Sequence, residues 1–595
     1  MEYRQLDFAH YETRLLRILN VPFYENSPVQ CTLIYTSLDE APDYHALSYC
    51  WGDPTKTVDM IIDGRPVPVT TNLEAALREL RRRGLCMLWV DAVCINQHNL
   101  YENNHQVLRM GQIYSRAYSV IAWLGPASST SDYAMCVLSR TYEEERLDLP
   151  TSVVRLLQRP FWERVWIVQE ISRATKVQVL CGRSVALWND IVRTLDWSRT
   201  FKQLPPTVQE LLSALYQFRS SEQQSHIGVA RMLLSEAVVL SRRSLATNPR
   251  DKIYALLALA LDGAEVVPMP SYSQTVDHVF LNTTRTIVVK EGQTAITLLA
   301  ARSNSIGRKL PSWVPDLSDL GSIPPWVLDC VKQGRQSLSI HSSSVDLAIE
   351  VRGVVLETVV ALGATLDHSG VVDQRRSTDQ KACNKLALSR HLRDTSVVLD
   401  RLWNALTYGD GCVAGASISS RFISLSRQTF FPMAALCLEK GKTAPSRTLR
   451  AWMNANGRLQ LGSRTIREWL ERYYNREVLR PTTNLFATAS SVNNNKITKG
   501  LAKASAFQMR LAISDRGGLR NVYDGARIGD KICRLENCTL PVVLRPLDNE
   551  CYSLVGECFL KVRPHDDINK SYWTQQTGWS ADEIKLSKYD VLKIV

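Results

Sequence analysis

The sequence has no uninterrupted apolar run approaching the roughly 20 residues that a membrane-spanning helix requires. Its first residues, MEYRQLD, lack the charged and apolar regions of a secretory signal peptide. Its 14 cysteines include no C-x-x-C pair, which is more typical of reduced thiols than of a disulfide framework. We therefore expect a cytoplasmic protein without a transmembrane segment.

Several common catalytic motifs are also absent. There is no G-x-x-x-x-G-K-[ST], no G-x-G-x-x-G after a strand and no G-x-S-x-G, so P-loop hydrolysis, hydride transfer and esterase chemistry have no support. His98 and His105 could share a helix face, but no cysteine or carboxylate completes a ligand set with them. The sequence therefore predicts neither a metal site nor a bound cofactor.

The composition is that of an ordinary globular protein, with 45% apolar and 22% charged residues, and 595 residues exceed the size of one domain. The net charge of +12 could indicate nucleic-acid binding. However, lysine and arginine are scattered, and the densest run, at residues 81–83, ends a predicted helix, where positive charge complements the helix dipole. We rank a nucleic-acid partner last.

Residues 1–185 alternate strand-like and helix-like segments, which predicts an α/β domain with a mostly parallel sheet flanked by helices. A buried strand is expected at 44–49 and a hairpin at 58–69, turning at Asp63 and Gly64. A helix is expected to start at Thr71 with a capping box and to end at Gly84.

The remaining chain divides into two further predicted parts. Residues 186–330 are expected to form a mainly helical extension packed on the first domain. Residues 331–595 have mixed character, with helical periodicity at 385–475 and strand-like stretches between 529 and 557. The latter predict a small C-terminal β-rich unit of unknown role.

Three stretches place polar residues at the ends of apolar runs: 45–52 (HALSYCWG), 88–97 (LWVDAVCINQ) and 161–170 (FWERVWIVQE). In open α/β sheets, ligands bind beyond the carboxyl ends of the strands. Ser48, Tyr49, Trp51 and Gly52 are therefore candidate pocket residues. Alternatively, Trp51 plugs the end of the sheet and Gly52 simply turns the chain.

Asp91 and Asn96 follow the second apolar run and could bond the hydroxyl groups of a ligand. As an alternative, Asp and Asn at the end of a strand commonly cap the next helix. Asn99 or Asn103 could serve as that cap instead, which would leave Asp91 available.

The third stretch predicts a helix over 162–173 in which Trp162, Trp166 and Glu170 share one face. A carboxylate beside two indoles would be partly desolvated, which raises its pKa and suits it to act as a general acid or as an electrostatic stabiliser. The alternative is that Arg164 neutralises Glu170 and that the tryptophans belong to the core.

In their order and spacing these motifs resemble the heterokaryon-incompatibility (HET) domain, a fungal module associated with programmed cell death. The resemblance is strong over residues 44–182. His98 and Asn99 depart from it, because many members have acidic residues there; the departure removes negative charge near the expected cleft. HET domains look like distant relatives of Toll/interleukin-1 receptor (TIR) domains, which implies a TIR-like, flavodoxin-like fold.

In catalytically active TIR domains an equivalent glutamate supports cleavage of the nicotinamide–ribose bond of NAD. The resemblance therefore implies NAD as a substrate and Glu170 as the catalytic residue. The implied substrate-binding residues are Ser48, Tyr49, Trp51, Gly52, Asp91, Asn96 and Trp166. Two hypotheses follow: an incompatibility effector that cleaves NAD, and a non-catalytic module that assembles with copies of itself or with other incompatibility proteins.

Overall fold

The computed structural model describes residues 3–19, 28–139, 150–196, 204, 206–223, 232–292, 295, 309–318, 347–364, 379–380, 398, 402, 405, 447–478, 508–536, 538, 541–548, 550–559 and 590–595. The chain forms two compact units, one of residues 1–283 with 317–320 and one of residues 284–316 with 321–595. The predicted three-part division at residues 185 and 330 stays a prediction.

The first unit is built on a nine-stranded sheet. Its strands are β1 (Glu12–Ile18), β2 (Gln30–Ser37), β3 (His45–Tyr49), β4 (Thr57–Ile62), β5 (Arg65–Thr70), β6 (Met87–Trp89), β7 (Ser119–Trp123), β8 (Val177–Cys181) and β9 (Ser184–Leu187). They are arranged in the order β5-β4-β2-β1-β6-β3-β7-β8-β9.

This sheet is mixed, so the expectation of a mostly parallel sheet was wrong. Strands β6, β3, β7 and β8 are parallel neighbours, and β2 pairs with β4 in parallel. The other four pairings are antiparallel. The parallel block is the buried centre: every residue of β7 is buried, as expected for a strand covered on both faces.

Helices accompany and follow these strands. They are α1 (Thr71–Arg82), α2 (Asp91–Cys94), α3 (Leu100–Arg116), α4 (Ser131–Leu138), α5 (Thr151–Leu157), α6 (Trp166–Ser172), α7 (Trp188–Asp196), α8 (Pro206–Gln223), α9 (Leu234–Leu240), α10 (Asp251–Tyr254), α11 (Gly263–Val266) and α12 (Val276–Glu291). Helices α7 to α12 lie within the range that was predicted to be mainly helical. No helix in the described ranges is long and apolar enough to cross a membrane.

Local sequence signals account for several of these boundaries. The hairpin of β4 and β5 turns at Asp63 (φ 48°) and Gly64 (φ 76°), as predicted. Helix α1 starts at Thr71, but its cap is Thr70 instead of the predicted Thr71: the Thr70 side chain accepts the Leu73 N–H at 3.4 Å. Gly84, at φ 73°, lies just beyond the end of α1.

The prediction of a continuous helix at 162–173 was wrong. The chain instead forms a 3-10 turn over Pro160–Glu163, is extended at Arg164 and becomes helical again at Trp166. The cause is tertiary: the Val165 N–H donates to the Leu245 carbonyl at 2.9 Å. Trp162 is therefore separated from the face of Glu170, and its indole N–H donates to the Leu156 carbonyl at 3.1 Å.

The second unit contains the expected β-rich region. Its strands are β10 (Ile349–Leu362), β11 (Asp379–Gln380), β12 (Gln460–Leu461), β13 (Arg464–Thr465), β14 (Met509–Ser514), β15 (Leu519–Tyr523), β16 (Lys531–Leu535), β17 (Val542–Pro546), β18 (Cys551–Phe559) and β19 (Asp590–Ile594), with helices α13 (Arg447–Asn456) and α14 (Ile466–Val478). The pairing of β10 with both β14 and β16 closes six strands into a ring in the order β10-β14-β15-β18-β17-β16. Within this unit Arg520 donates twice to the buried carboxylate of Glu357, at 3.1 and 2.7 Å.

Helix α3 packs closely against the chain that follows α10. A Cβ atom added at Gly111 would lie 2.3 Å from the Cβ of Ala258. We expect Gly111→Ala to lower the free energy of unfolding by about 1–3 kcal/mol through overpacking, although alanine favours a helix by about 1 kcal/mol. Chemical denaturation measures this change.

Gln112→Ala is the control for this prediction, because Gln112 is the exposed neighbour on the same helix. It should change stability by no more than about 0.5 kcal/mol. Equal stability of the two variants would contradict the close approach of Gly111 to Ala258.

Candidate functional site

The carboxyl ends of β3 and β6 meet at one edge of the sheet, where two of the three motifs come into contact. Ser48 and Tyr49 end β3, and Asp91 begins α2 two residues after β6. The indole N–H of Trp51 donates to Oδ2 of Asp91 at 2.8 Å. A hydrogen bond thus joins the strand exits that the sequence placed together.

The third motif reaches the same edge through α6. The Ser48 hydroxyl donates to Oε2 of Glu170, and both residues are only 1% exposed. Nη1 of Arg164 lies 3.5 Å from the same carboxylate oxygen. We call Ser48, Asp91, Arg164 and Glu170 the Glu170 centre.

Burial controls the ionisation of this centre. It raises the pKa of Glu170, and the nearby charge of Arg164 and the Ser48 hydrogen bond only partly oppose it. It also raises the pKa of Asp91 against the opposing effects of Arg164 and Trp51. Burial alone would lower the pKa of Arg164, but the charges of Glu170 and Asp91 outweigh it and raise that pKa. The positive charge of the Arg164 guanidinium therefore acts on two desolvated carboxyl groups, those of Asp91 and Glu170.

Tyr49, Trp51 and Gly52 occupy distinct positions at the exit of β3. Tyr49 is buried; desolvation and the charge of Asp91 raise its pKa well above the usual range. Trp51 is 43% exposed, so it does not plug the end of the sheet. Gly52 has the positive φ of 84° that favours glycine. The side-chain amide of Asn72, which the sequence did not single out, donates to the Cys50 carbonyl at 2.7 Å and braces this exit.

Asn96 and Asn99 shape the loop after Asp91. The side chain of Asn96 accepts the His98 N–H at 3.2 Å, and its backbone N–H donates to Glu102 at 2.7 Å. Asn99 caps α3 by accepting the N–H groups of Tyr101 and Glu102 at 3.0 and 3.2 Å. Asn99 is thus the helix cap, and no hydrogen bond of Asn96 reaches the Glu170 centre.

Trp166 contacts a residue that sequence reasoning missed. Its indole N–H donates to Oδ2 of Asp251 at 3.1 Å, and the Tyr272 hydroxyl donates to Oδ1 of Asp251 at 2.7 Å. Asp251 lies 81 positions beyond Glu170, and no local pattern connects the two. Among the described residues, no group of three or more His, Cys, Asp or Glu side chains could hold a metal ion.

The region that contains this centre matches a known protein family. Residues 44–170 match the family described as "Heterokaryon incompatibility protein (HET)". The protein "Heterokaryon incompatibility protein 6, OR allele" of Neurospora crassa is 30% identical over 390 residues, which cover 51% of this chain and 57% of that relative. The match thus spans little more than half of the relative's length. No solved structure matches the chain.

The raised pKa of Glu170 predicts a pH-dependent stability. Between the unfolded and the folded pKa, the folded state retains a proton that the unfolded state has lost, so the free energy of unfolding falls as pH rises. Glu170→Gln cannot ionise. Its stability relative to wild type should therefore increase with pH in this window, by about 1.4 kcal/mol per unit of pKa elevation.

Denaturant titrations from about pH 4 upward would measure this difference, since the unfolded pKa of glutamate is about 4.3. Glu40→Gln, at an exposed glutamate, is the control for the loss of a carboxylate at the surface. A Glu170→Gln difference that is flat or decreases with pH would refute the raised pKa.

Proposed function

Because residues 44–170 form a HET domain, we propose that this chain acts in the cytoplasm in fungal heterokaryon incompatibility, the non-self recognition that ends in programmed cell death. The name of the Neurospora relative supports this role. We further propose that the parallel block β6-β3-β7-β8 corresponds to a TIR-like core, and that the Glu170 centre cleaves the nicotinamide–ribose bond of NAD.

One observation carries the catalytic proposal: the Glu170 carboxylate lies at the carboxyl end of β3, hydrogen-bonded to Ser48. In the reaction the glycosidic electron pair leaves with nicotinamide, which neutralises the pyridinium nitrogen. The ribose becomes an oxocarbenium ion, and water adds to its C1′ and releases a proton. An ionised Glu170 stabilises the developing positive charge, as carboxylates do in other glycosyl cleavages.

The remaining residues have proposed roles around this reaction. Tyr49, Trp51, Gly52 and Asp91 surround the strand exits and would bind the substrate, with Asn96 and Trp166 at the margins. Trp51, at 43% exposure, is the member that a ligand meets first. Because Glu170 is only 1% exposed, NAD reaches it only after the groups that cover it move.

The same burial favours a second candidate function. A carboxylate that is 1% exposed and paired with Arg164 at 3.5 Å also suits a structural charge pair. In that case the HET domain is a non-catalytic module that assembles through homotypic, TIR-like contacts, with copies of itself or with other incompatibility proteins. Catalysis separates the two candidates.

We expect the purified full chain to release nicotinamide from NAD and Glu170→Gln to release it at least about 100-fold more slowly, because one charge-stabilising group is worth about 10²–10³ in rate. Chromatography of the products measures the release. Glu40→Gln should match wild type. Full activity of Glu170→Gln would exclude the site, and no release by concentrated wild-type protein would exclude the reaction.

Expression in a fungal host tests the cellular role. We expect wild type to arrest growth and Glu170→Gln, at equal protein level, to permit it, because the glutamine keeps the shape of the side chain but not its charge. Growth on plates, with immunoblots for protein level, measures both. Arrest by both proteins without loss of NAD would instead support the assembly module.

A further inference from the structure

The Glu170 centre has a neighbour outside the residues that match the HET family. Asp251, the first residue of α10, accepts two hydrogen bonds, from the Trp166 indole at 3.1 Å and from the Tyr272 hydroxyl at 2.7 Å. Trp166 lies one helical turn before Glu170 on α6. Asp251 therefore fixes the helix that carries Glu170.

The segment that carries Asp251 also holds the loop that carries Arg164. The Lys252 ammonium donates to the carbonyls of Arg242, at 2.7 Å, and Ser244. The next residue, Leu245, accepts the N–H of Val165 at 2.9 Å. Residues 242–252 therefore hold the break between the 3-10 turn and α6 in place.

Charge links Asp251 to the centre as well as geometry does. Burial raises the pKa of Asp251, while its bonds to Tyr272 and Trp166 and the nearby charges of Arg250 and Arg164 oppose that rise. The charge of Arg164 also opposes the rise in the pKa of Asp91 and of Glu170. It therefore acts on three carboxyl groups, of which Glu170 is in contact with it.

We propose that Asp251 is a positioning residue of the Glu170 centre: it fixes Trp166, one helical turn before Glu170, and places a second carboxylate beside that helix. Its negative charge opposes the ionisation of Glu170, because like charges repel. In the catalytic setting this proposal rests on the proposed NAD cleavage, but the arrangement of charges can be tested without any activity.

Asp251→Asn keeps the shape of the side chain and removes its charge. Without that charge the like-charge repulsion on Glu170 falls, so the pKa of Glu170 decreases. The measured quantity is the difference in the free energy of unfolding between a protein with Glu170→Gln and one that retains Glu170. It is determined as a function of pH in both the wild-type and the Asp251→Asn background. Its midpoint should move to lower pH by about half a unit or more in the Asp251→Asn background.

Other groups contribute to the same titration and stay unchanged in this comparison. Those that influence Glu170 are Arg164, Asp91, Cys50, Tyr49 and Tyr114. Those that influence Asp251 are Arg164, Arg250, Tyr254 and Tyr272. Because they are present in both backgrounds, the shift of the midpoint isolates the effect of Asp251.

Asp262→Asn is the control, because Asp262 is a buried aspartate that accepts the backbone N–H of Leu234, at 2.8 Å, and does not bond a residue of the centre. It should lower stability without moving the midpoint. Tyr272→Phe, which removes one hydroxyl, should move the midpoint in the same direction by less, and it tests the proposal if Asp251→Asn does not fold.

An unmoved midpoint in both Asp251→Asn and Tyr272→Phe would overturn the positioning role. If wild type cleaves NAD, Asp251→Asn should also shift the acidic limb of the rate–pH profile to lower pH. If wild type does not cleave NAD while the stability midpoint still moves, the proposed function fails and the positioning role of Asp251 stands.

Discussion

The structure of the first unit depends on one constraint: a carboxylate, Glu170, is buried where the parallel strands end. Removing an ionised group from water costs several kcal/mol unless hydrogen bonds and counter-charge replace the lost solvent. Ser48 supplies the hydrogen bond and Arg164 the counter-charge. The three sequence motifs meet at this edge. The first contributes Ser48, the third contributes Arg164, and the second contributes Asp91, which acts on the same guanidinium.

The break in the chain at Arg164 makes this arrangement possible. In a continuous helix, Arg164 and Glu170 would be six residues apart and would point to different faces. The extended backbone at Arg164 and the bond from Val165 to Leu245 instead allow Nη1 to approach Glu170. The parts of the chain beyond residue 240 therefore determine the electrostatics of motifs that lie 80 residues earlier.

Structural features that depend on neighbouring residues were predicted from the sequence. Features that depend on residues far apart in the chain were not. The strand at 45–49, the turn at Asp63 and Gly64 and the strands between 531 and 559 follow from local patterns, and the structure contains them. The convergence of Ser48 with Glu170 was anticipated from strand ends and resemblance. The mixed sheet was missed because the antiparallel β1 and β2 precede the motifs, and Asp251 was missed because no spacing links it to Trp166.

Two buried ion pairs in the described part of the chain have a different geometry. Arg520 and Glu357 bond through two contacts, at 3.1 and 2.7 Å, and Arg14 bonds both oxygens of Glu102, one of them at 3.1 Å. A bidentate contact offsets more of the desolvation cost than a single contact does. Arg164 instead makes one contact with Glu170, at 3.5 Å, and its charge also acts on Asp91 and Asp251. This single contact leaves Glu170 less completely neutralised than a bidentate partner would, as the proposed chemistry of Glu170 requires.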